Sequence, residues 1–508
     1  MKLKVASIFT EYMVLQRNKP ITIWGRSAKD DTVEVKLADK QKTTIARDGQ
    51  WTITFDPLEA CDEISLSAHS SITGENISFS HIAVGDVFLA GGQSNMEFLM
   101  KYDIDFEETA KTENDALLRC YTAPQSAFIG AEEIDPYGNS GFWRRWILKE
   151  ERQYFSAVAT YMGMKLREKL NIPIGIISCN WGGSPACAWT AREDLENTAE
   201  LKPILDWEEK FLKETDWPRY IPASEKRIIQ TPKEIAFNDR FMMGEDMSEF
   251  FKNFDPSVLP KVDFAPFNLG PRCVVRPSGL YKNMLCKIAP YGIKAFLWYQ
   301  GEDDDARDFV DFYDVSMITL IKSWRKLWKE DLPFYQIELA PFRGIGPTAA
   351  KRYPAMRHQQ ANAAASLNDV YDLCILDAGE EYNIHPRHKK IVGERLSRSV
   401  LKHSYGFDEY IGDSPRALSF DKQGDTITIL FSHTGKGLEC KGDLKKYLLV
   451  THQGKELDYT AEIKNNRLIL KGPFHDKTVR IEFCESNYCI DPLFNSDNDP
   501  VFAFTAEV

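Results

Sequence analysis

Val87-Phe88-Leu89-Ala90-Gly91-Gly92-Gln93-Ser94-Asn95-Met96-Glu97 is an apolar run that stops abruptly at two glycines, an amide and a serine. A short apolar run bounded by a turn signal reads as a buried strand. The glycines let the backbone bend sharply and let another group come close. A serine at such a turn lies at the carboxyl edge of a sheet, where open α/β sheets place their ligands. Ser94 is therefore a candidate nucleophile, and its plainer reading is a residue that merely turns the chain. A hydroxyl is a weak nucleophile near neutral pH and needs an adjacent base, most often histidine.

Three further segments extend the pattern. The run Ile174 to Ser178 leads into Asn180-Trp181-Gly182-Gly183-Ser184-Pro185, a second glycine turn after a strand. The run Ile293 to Leu297 leads into Trp298-Tyr299-Gln300-Gly301-Glu302, and Ile384-His385-Pro386 supplies the histidine. Between them the spacing predicts helices over Phe155 to Leu170, Asp311 to Trp328, Ala355 to Ala365 and Lys390 to Leu401. Strands are predicted at Phe334 to Leu339 and Tyr371 to Leu376. Strands that alternate with helices imply an α/β fold with a mainly parallel sheet.

Residues 1–80 have a different texture. Thr32-Val33-Glu34-Val35-Lys36-Leu37 and Trp51-Thr52-Ile53-Thr54-Phe55 alternate with period two, as half-buried strands do, which predicts an antiparallel sandwich. Strand texture returns after about residue 406, at Asp425 to Phe431, Tyr447 to Val450, Arg467 to Leu470 and Val479 to Phe483. The predicted organisation is a β-rich section over 1–80, a catalytic section over 81–405 with an insertion at about 191–275, and a β-rich section over 406–508.

Composition narrows the function. The 508 residues include 43% hydrophobic and 27% charged, the balance of a globular protein, and the length suggests roughly two to four domains. A formal charge of −12 argues against a nucleic-acid partner, because phosphate-backbone binders carry a basic face. No run approaches the roughly 18 apolar residues of a membrane span, and Met1 to Glu11 lacks the apolar stretch of a secretory leader. A cytoplasmic protein without a membrane partner is the expectation. The ten cysteines are scattered without a C-x-x-C pair and read as reduced core residues, with Cys484 and Cys489 the close pair. No zinc spacing, calcium loop or Walker loop occurs, so neither a metal nor another cofactor is expected.

Taken in order along the chain, these segments resemble the sialate O-acetylesterase family of the SGNH/GDSL hydrolases. The likeness runs through Met13-Val14-Leu15-Gln16-Arg17, Ile23-Trp24-Gly25, Gly85-Asp86-Val87, Gly92-Gln93-Ser94-Asn95-Met96-Glu97, Ile172-Pro173-Ile174-Gly175 and Trp181-Gly182-Gly183. It continues through Leu280-Tyr281, Asn283-Met284, Trp298-Tyr299-Gln300-Gly301-Glu302 and Ile384-His385-Pro386 with Lys389. The resemblance implies a three-layer SGNH core between β-rich terminal sections, and a serine esterase that hydrolyses acetyl esters of sugars. By the same resemblance Ser94 is the nucleophile and His385 the base. The Ser94 N–H and a Gly182 or Gly183 N–H are the implied oxyanion donors, with a side-chain amide from Gln300 or Asn95. Gln93, Trp181, Trp298, Glu302 and Asp304 are the candidate substrate-binding residues. The implied partner is a small-molecule or oligosaccharide acetyl ester.

Two positions depart from the family pattern. Relatives commonly carry an Asp just before the Ile-His-Pro unit or three residues before the His, where this chain has Tyr382-Asn383-Ile384. Asn383 can orient an imidazole but cannot stabilise imidazolium as a carboxylate does. Glu380, Glu381, Asp377 or a backbone carbonyl are the alternatives, the last leaving a Ser-His dyad. After Glu302, Asp303-Asp304-Asp305 stands in place of the usual Ser-Asn and reads either as a solvated loop or as a pocket wall that disfavours anionic sugars. The second reading favours acetylated hemicellulose oligosaccharides over sialic acid. The non-enzymatic alternative is a carbohydrate-binding protein on a hydrolase scaffold. His358, in Arg357-His358-Gln359-Gln360, reads as part of a supporting helix.

Overall fold

The apolar run before Ser94 is the second half of a 17-residue strand, Asn76–Gly92. This is seen in a computed structural model that describes residues 2–112, 114–127, 138–218, 232–244, 274–344 and 349–508. The chain forms two compact units, one made of Met1–Trp298 with Thr319–Phe334, the other of Tyr299–Ile318 with Tyr335–Val508.

In the first unit, Asn76–Gly92 changes partners along its length. Its first half pairs antiparallel with Cys61–Ser70, in the register Leu66↔Phe79 and Ala68↔Ile77. Ala83 to Gly85 pair in parallel with Val14–Gln16, and Asp86 to Gly92 pair in parallel with Ile174–Asn180. At the handover the Gln16 side chain acts in place of a strand. Its Oε1 accepts the Val87 N–H at 2.9 Å and its Nε2 donates to Asp86 Oδ1 at 2.8 Å. The Arg17 guanidinium closes the cluster on buried Asp86 Oδ2 at 2.9 Å. Two segments some 70 residues apart in sequence thus meet through their polar ends.

Ile174–Asn180 pairs in parallel with Asp115–Thr122, which pairs antiparallel with Trp143–Trp146, and Ala295–Tyr299 neighbours Asn76–Gly92 in the sheet order. The fold is α/β, but the sheet is mixed where the sequence predicted a mainly parallel one. The reason is local: the edge left by Asn76 to Ile82 is filled by a hairpin partner, and hairpins are antiparallel.

The remaining amino-terminal strands follow their alternation. Thr32–Leu37 buries Val33, Val35 and Leu37, and Gln50–Phe55 buries Trp51, Ile53 and Phe55. The first pairs antiparallel with Lys40–Ile45 and Cys61–Ser70, the second with Ile21–Arg26. Helix Ala157–Leu170 starts where the Ser156 side chain accepts the Ala159 N–H and ends at Asn171 in a left-handed conformation (φ 51°). Part of the expected insertion at 191–275 falls at 219–231 and 245–273, outside the described residues. The described part carries the helices Arg192–Glu196, Lys202–Glu214 and Pro232–Met242.

The second unit holds helices Tyr353–Ala365 and Lys389–Tyr405, strand Val370–Leu373, and two four-stranded sheets built from residues beyond Ala417. Ile427, Ile429, Leu468 and Leu470 from one sheet share a core with Leu448, Val450, Ile481, Phe483 and Phe504 from the other. Nine cysteines are free thiols among the described residues, with Cys286 and Cys440 exposed. No helix among the described residues is long and apolar enough to cross a membrane.

Gly85 marks how closely the strands approach at the handover, since a Cβ there would lie 2.0 Å from the Pro173 carbonyl oxygen. Gly85→Ala is expected to destabilise the protein by about 1–3 kcal/mol through overpacking. A urea midpoint equal to that of the parent would contradict this close approach.

Candidate active site

In the first unit the site begins where Asn76–Gly92 ends. Gly92 takes φ 128°, a conformation that side-chain-bearing residues rarely adopt, and the chain turns directly into the short helix Ser94–Glu97. Gln93, Asn95 and Met96 are buried and Ser94 is half-buried. The Ser156 hydroxyl donates to Met96 O at 2.7 Å, which anchors this helix to the start of helix Ala157–Leu170.

The second glycine turn lies against the first. The Trp181 N–H donates to Gly92 O at 3.1 Å, and the Asn180 amide donates to Ala90 O at 3.2 Å. A Cβ placed on Gly182 would lie 3.3 Å from Ser94 Cβ and 3.4 Å from Glu97 Oε2, so the Gly182 backbone and the Ser94 loop nearly touch. The Gly182 N–H donates to Glu97 Oε2 at 2.6 Å, and the Gln125 amide donates to Glu97 Oε1 at 2.9 Å and to Asn180 O at 3.2 Å. Burial raises the Glu97 carboxyl above its ordinary range, against the opposing effect of these two hydrogen bonds. Gly183 is exposed and Trp181 half-buried.

Trp298 is fully buried, edge-on to Trp324 at 5.4 Å and to Trp189 at 6.4 Å between ring centres. Gly91 leaves the space for this cluster, because a Cβ there would meet Trp324 at 2.7 Å.

In the second unit, Gln300 is fully buried with both ends of its amide engaged. Tyr313 Oη donates to Gln300 Oε1 at 2.9 Å, and Gln300 Nε2 donates to Asp304 Oδ2 at 2.5 Å. Its main-chain carbonyl accepts from Gln360 Nε2 at 3.0 Å, while Gln360 Oε1 accepts the Leu339 N–H at 3.0 Å. The Arg357 guanidinium is buried on the same helix and donates to Ser486 O at 2.9 Å, and His358 pairs with Glu485 at 2.6 Å.

The acidic run is not a solvated loop. Glu302–Ala306 is helical, and Glu302, Asp303, Asp304 and Asp305 are all buried. Asp303 pairs with Arg307 at 2.5 Å, and Asp304 accepts from Gln300 as above. Asp305 accepts the Lys351 and Arg352 N–H groups at 2.8 and 2.7 Å. Each of the three aspartates has a local partner, and their burial is tolerable for that reason.

His385 is 4% exposed in the segment that precedes helix Lys389–Tyr405. Burial, with the Lys389 charge as the lesser cause, pushes its imidazole down to about 3. Lys389 is itself buried, with Nζ 5.5 Å from the centre of the Tyr299 ring. Of the residues considered for orienting the ring, Asn383 Oδ1 accepts the main-chain N–H of His385 at 3.0 Å. Glu380 accepts from the Asn383 amide at 3.1 Å and the Arg387 N–H at 2.6 Å. Glu381 pairs with Arg343 at 2.5 Å, and Asp377 is gripped by Arg395 at 2.9 and 3.0 Å.

Glu97 and Gln125 did not stand out in the sequence. The available signal was an acid one helical turn after Ser94 at the end of an apolar strand, but nothing in sequence ties it to Gly182, 85 residues away.

Residues 272–401 match a family described as "Carbohydrate esterase, sialic acid-specific acetylesterase". The chain is 23% identical to "Sialate O-acetylesterase" of Rattus norvegicus, over 96% of this chain and 83% of that protein. It is 24% identical to the protein of the same name from Mus musculus, over 79% of this chain and 74% of that protein. A solved structure described as a novel carbohydrate acetylesterase from Xanthomonas citri superposes with a TM-score of 0.75 at 22% identity, covering 99% of both chains, which shows a shared fold. The chain is thus similar to carboxylic ester hydrolases. Among these, its likeness is to the sialate O-acetylesterase family.

The buried imidazole makes stability depend on pH. Its folded value of about 3 lies below the ordinary 6.5, so between these values the unfolded chain binds the extra proton. The corresponding stability is present above about pH 6.5 and is lost as pH falls toward 3. Urea midpoints from pH 7 to pH 4 should fall more steeply for the parent than for His385→Gln. Parallel curves would remove this source of acid sensitivity.

Proposed function

We propose that the protein is a serine carbohydrate O-acetylesterase acting through an acyl-enzyme on a three-layer SGNH core. His385 takes the Ser94 proton as Oγ adds to the acetyl carbonyl carbon. The intermediate collapses to acetyl-Ser94 as the sugar oxygen leaves with that proton, and water repeats the sequence to release acetate. The Ser94 N–H, an amide of the Gly182-Gly183 turn and a side-chain amide from Asn95 or Gln300 stabilise the oxyanion.

The observation that carries this reading is the nucleophile turn itself. Gly92 at φ 128° ends the strand, the Ser94 helix begins at once, and the Gly182 backbone lies against the serine. Burial keeps the His385 imidazole neutral at neutral pH, the form that can accept a proton.

The relatives' names point to acetylated sialic acid and that of the structural neighbour to carbohydrate more broadly. Acetate release from O-acetyl sialic acid, acetylated xylo-oligosaccharide and acetylated manno-oligosaccharide, measured side by side, identifies the sugar. Ser94→Ala is expected to abolish turnover of 4-nitrophenyl acetate while keeping the parent's circular dichroism. Full turnover in that variant would refute the serine mechanism, and tight sugar binding without turnover in the parent would identify a binding protein instead.

A further inference from the structure

We propose that Glu97 is a positioning residue for the esterase reaction, acting as a latch that holds the Trp181-Gly182-Gly183 turn against the Ser94 loop. The inference rests on the esterase reading above and assigns a role to a side chain that the reading leaves idle.

The geometry is self-contained within the first unit. Glu97 closes the four-residue helix that Ser94 opens, so its carboxyl moves with the nucleophile. Oε2 accepts the Gly182 N–H at 2.6 Å and Oε1 accepts the Gln125 amide at 2.9 Å. Gln125 also donates to Asn180 O at 3.2 Å, tying the carboxyl to the strand end that launches the second glycine turn. The Trp181 N–H to Gly92 O at 3.1 Å and the Asn180 amide to Ala90 O at 3.2 Å also join the two strand ends. The space between the loops leaves no room for slack, since a Cβ on Gly182 would be 3.3 Å from Ser94 Cβ.

This changes the expected part played by Gly182. Its N–H points to the Glu97 carboxyl, so Gly182 sets the position of the turn, and the amide that the turn offers to an oxyanion is that of Gly183. A donor displaced by about 1 Å loses much of its effect on a transition state, on the order of 10²-fold in rate. The bond that holds the turn therefore acts on kcat and leaves substrate affinity largely alone.

The test compares Glu97→Ala, Glu97→Gln and Ser94→Ala with the parent on 4-nitrophenyl acetate, alongside hydrogen exchange in peptides spanning Asn180 to Ser184. Glu97→Ala is expected to lower kcat on the order of 10²-fold with KM within about twofold, and to speed exchange in those peptides. Glu97→Gln, whose amide oxygen can still accept the Gly182 N–H, is expected to recover most of the lost kcat. A folded Glu97→Ala with unchanged kcat overturns the latch, even if its melting temperature is lower. So does a Glu97→Gln as impaired as the alanine variant. Should Ser94→Ala hydrolyse as fast as the parent, the esterase reading itself falls, and the exchange data decide the latch: faster exchange in Glu97→Ala supports it and unchanged exchange refutes it.

Discussion

A strand has two edges, and every N–H and C=O along both must find a partner if the strand is buried. Over Asn76–Gly92 this requirement is met by several different neighbours, a hairpin strand, the short Val14–Gln16 strand, the parallel Ile174–Asn180 strand and the Gln16 side chain. Ser94 lies where it does because the pairing with Ile174–Asn180 runs to Gly92. The parallel register brings Asn180 beside Gly92, so both strands end at the same level and both turns open on the same edge. The Ser94 corner of the first unit is thus a consequence of backbone hydrogen bonding before any side chain contributes.

Side chains then make that corner stiff. Glu97 and Gln125 link the two turns of the first unit. In the second unit Tyr313, Asp304 and Gln360 hold Gln300 at both amide ends and at its carbonyl. Buried polar groups are costly when unsatisfied and strongly orienting when satisfied. A catalyst that stabilises charge by fixed donors benefits from such orientation, because nothing has to reorganise during the reaction. The local partners of Asp303 and Asp305 belong to the same economy of burial, and they explain how a run of three acids can sit inside a helix away from water.

Much of this was legible in the chain. The alternation at Thr32–Leu37 named a strand to the residue, and the apolar runs before Gly91 and Asn180 identified the two strands that carry the glycine turns. Helix Tyr313–Trp328 and helix Tyr353–Ala365 appear within about two residues of their predicted starts. The length of Asn76–Gly92 was hidden because its first half is polar and mostly exposed, so only the buried half left an apolar trace. The mixed sheet was hidden for the same reason. The solvated-loop reading of Asp303 to Asp305 fails because charge in sequence suggests solvent, whereas Arg307 and the 351–352 backbone lie close enough to hold the Asp303 and Asp305 carboxyls.

Sequence alone determined the elements whose causes are local: period-two strands, capped helices, glycine turns, and the serine and histidine that motif resemblance singled out. Tertiary structure decided which turn lies against which and where each buried carboxyl finds its partner. The physical reason is distance along the chain. A cap or an alternation is set by neighbours a few residues away, but the contact between Glu97 and Gly182 exists only once the parallel register of Asn76–Gly92 and Ile174–Asn180 has brought the two turns together.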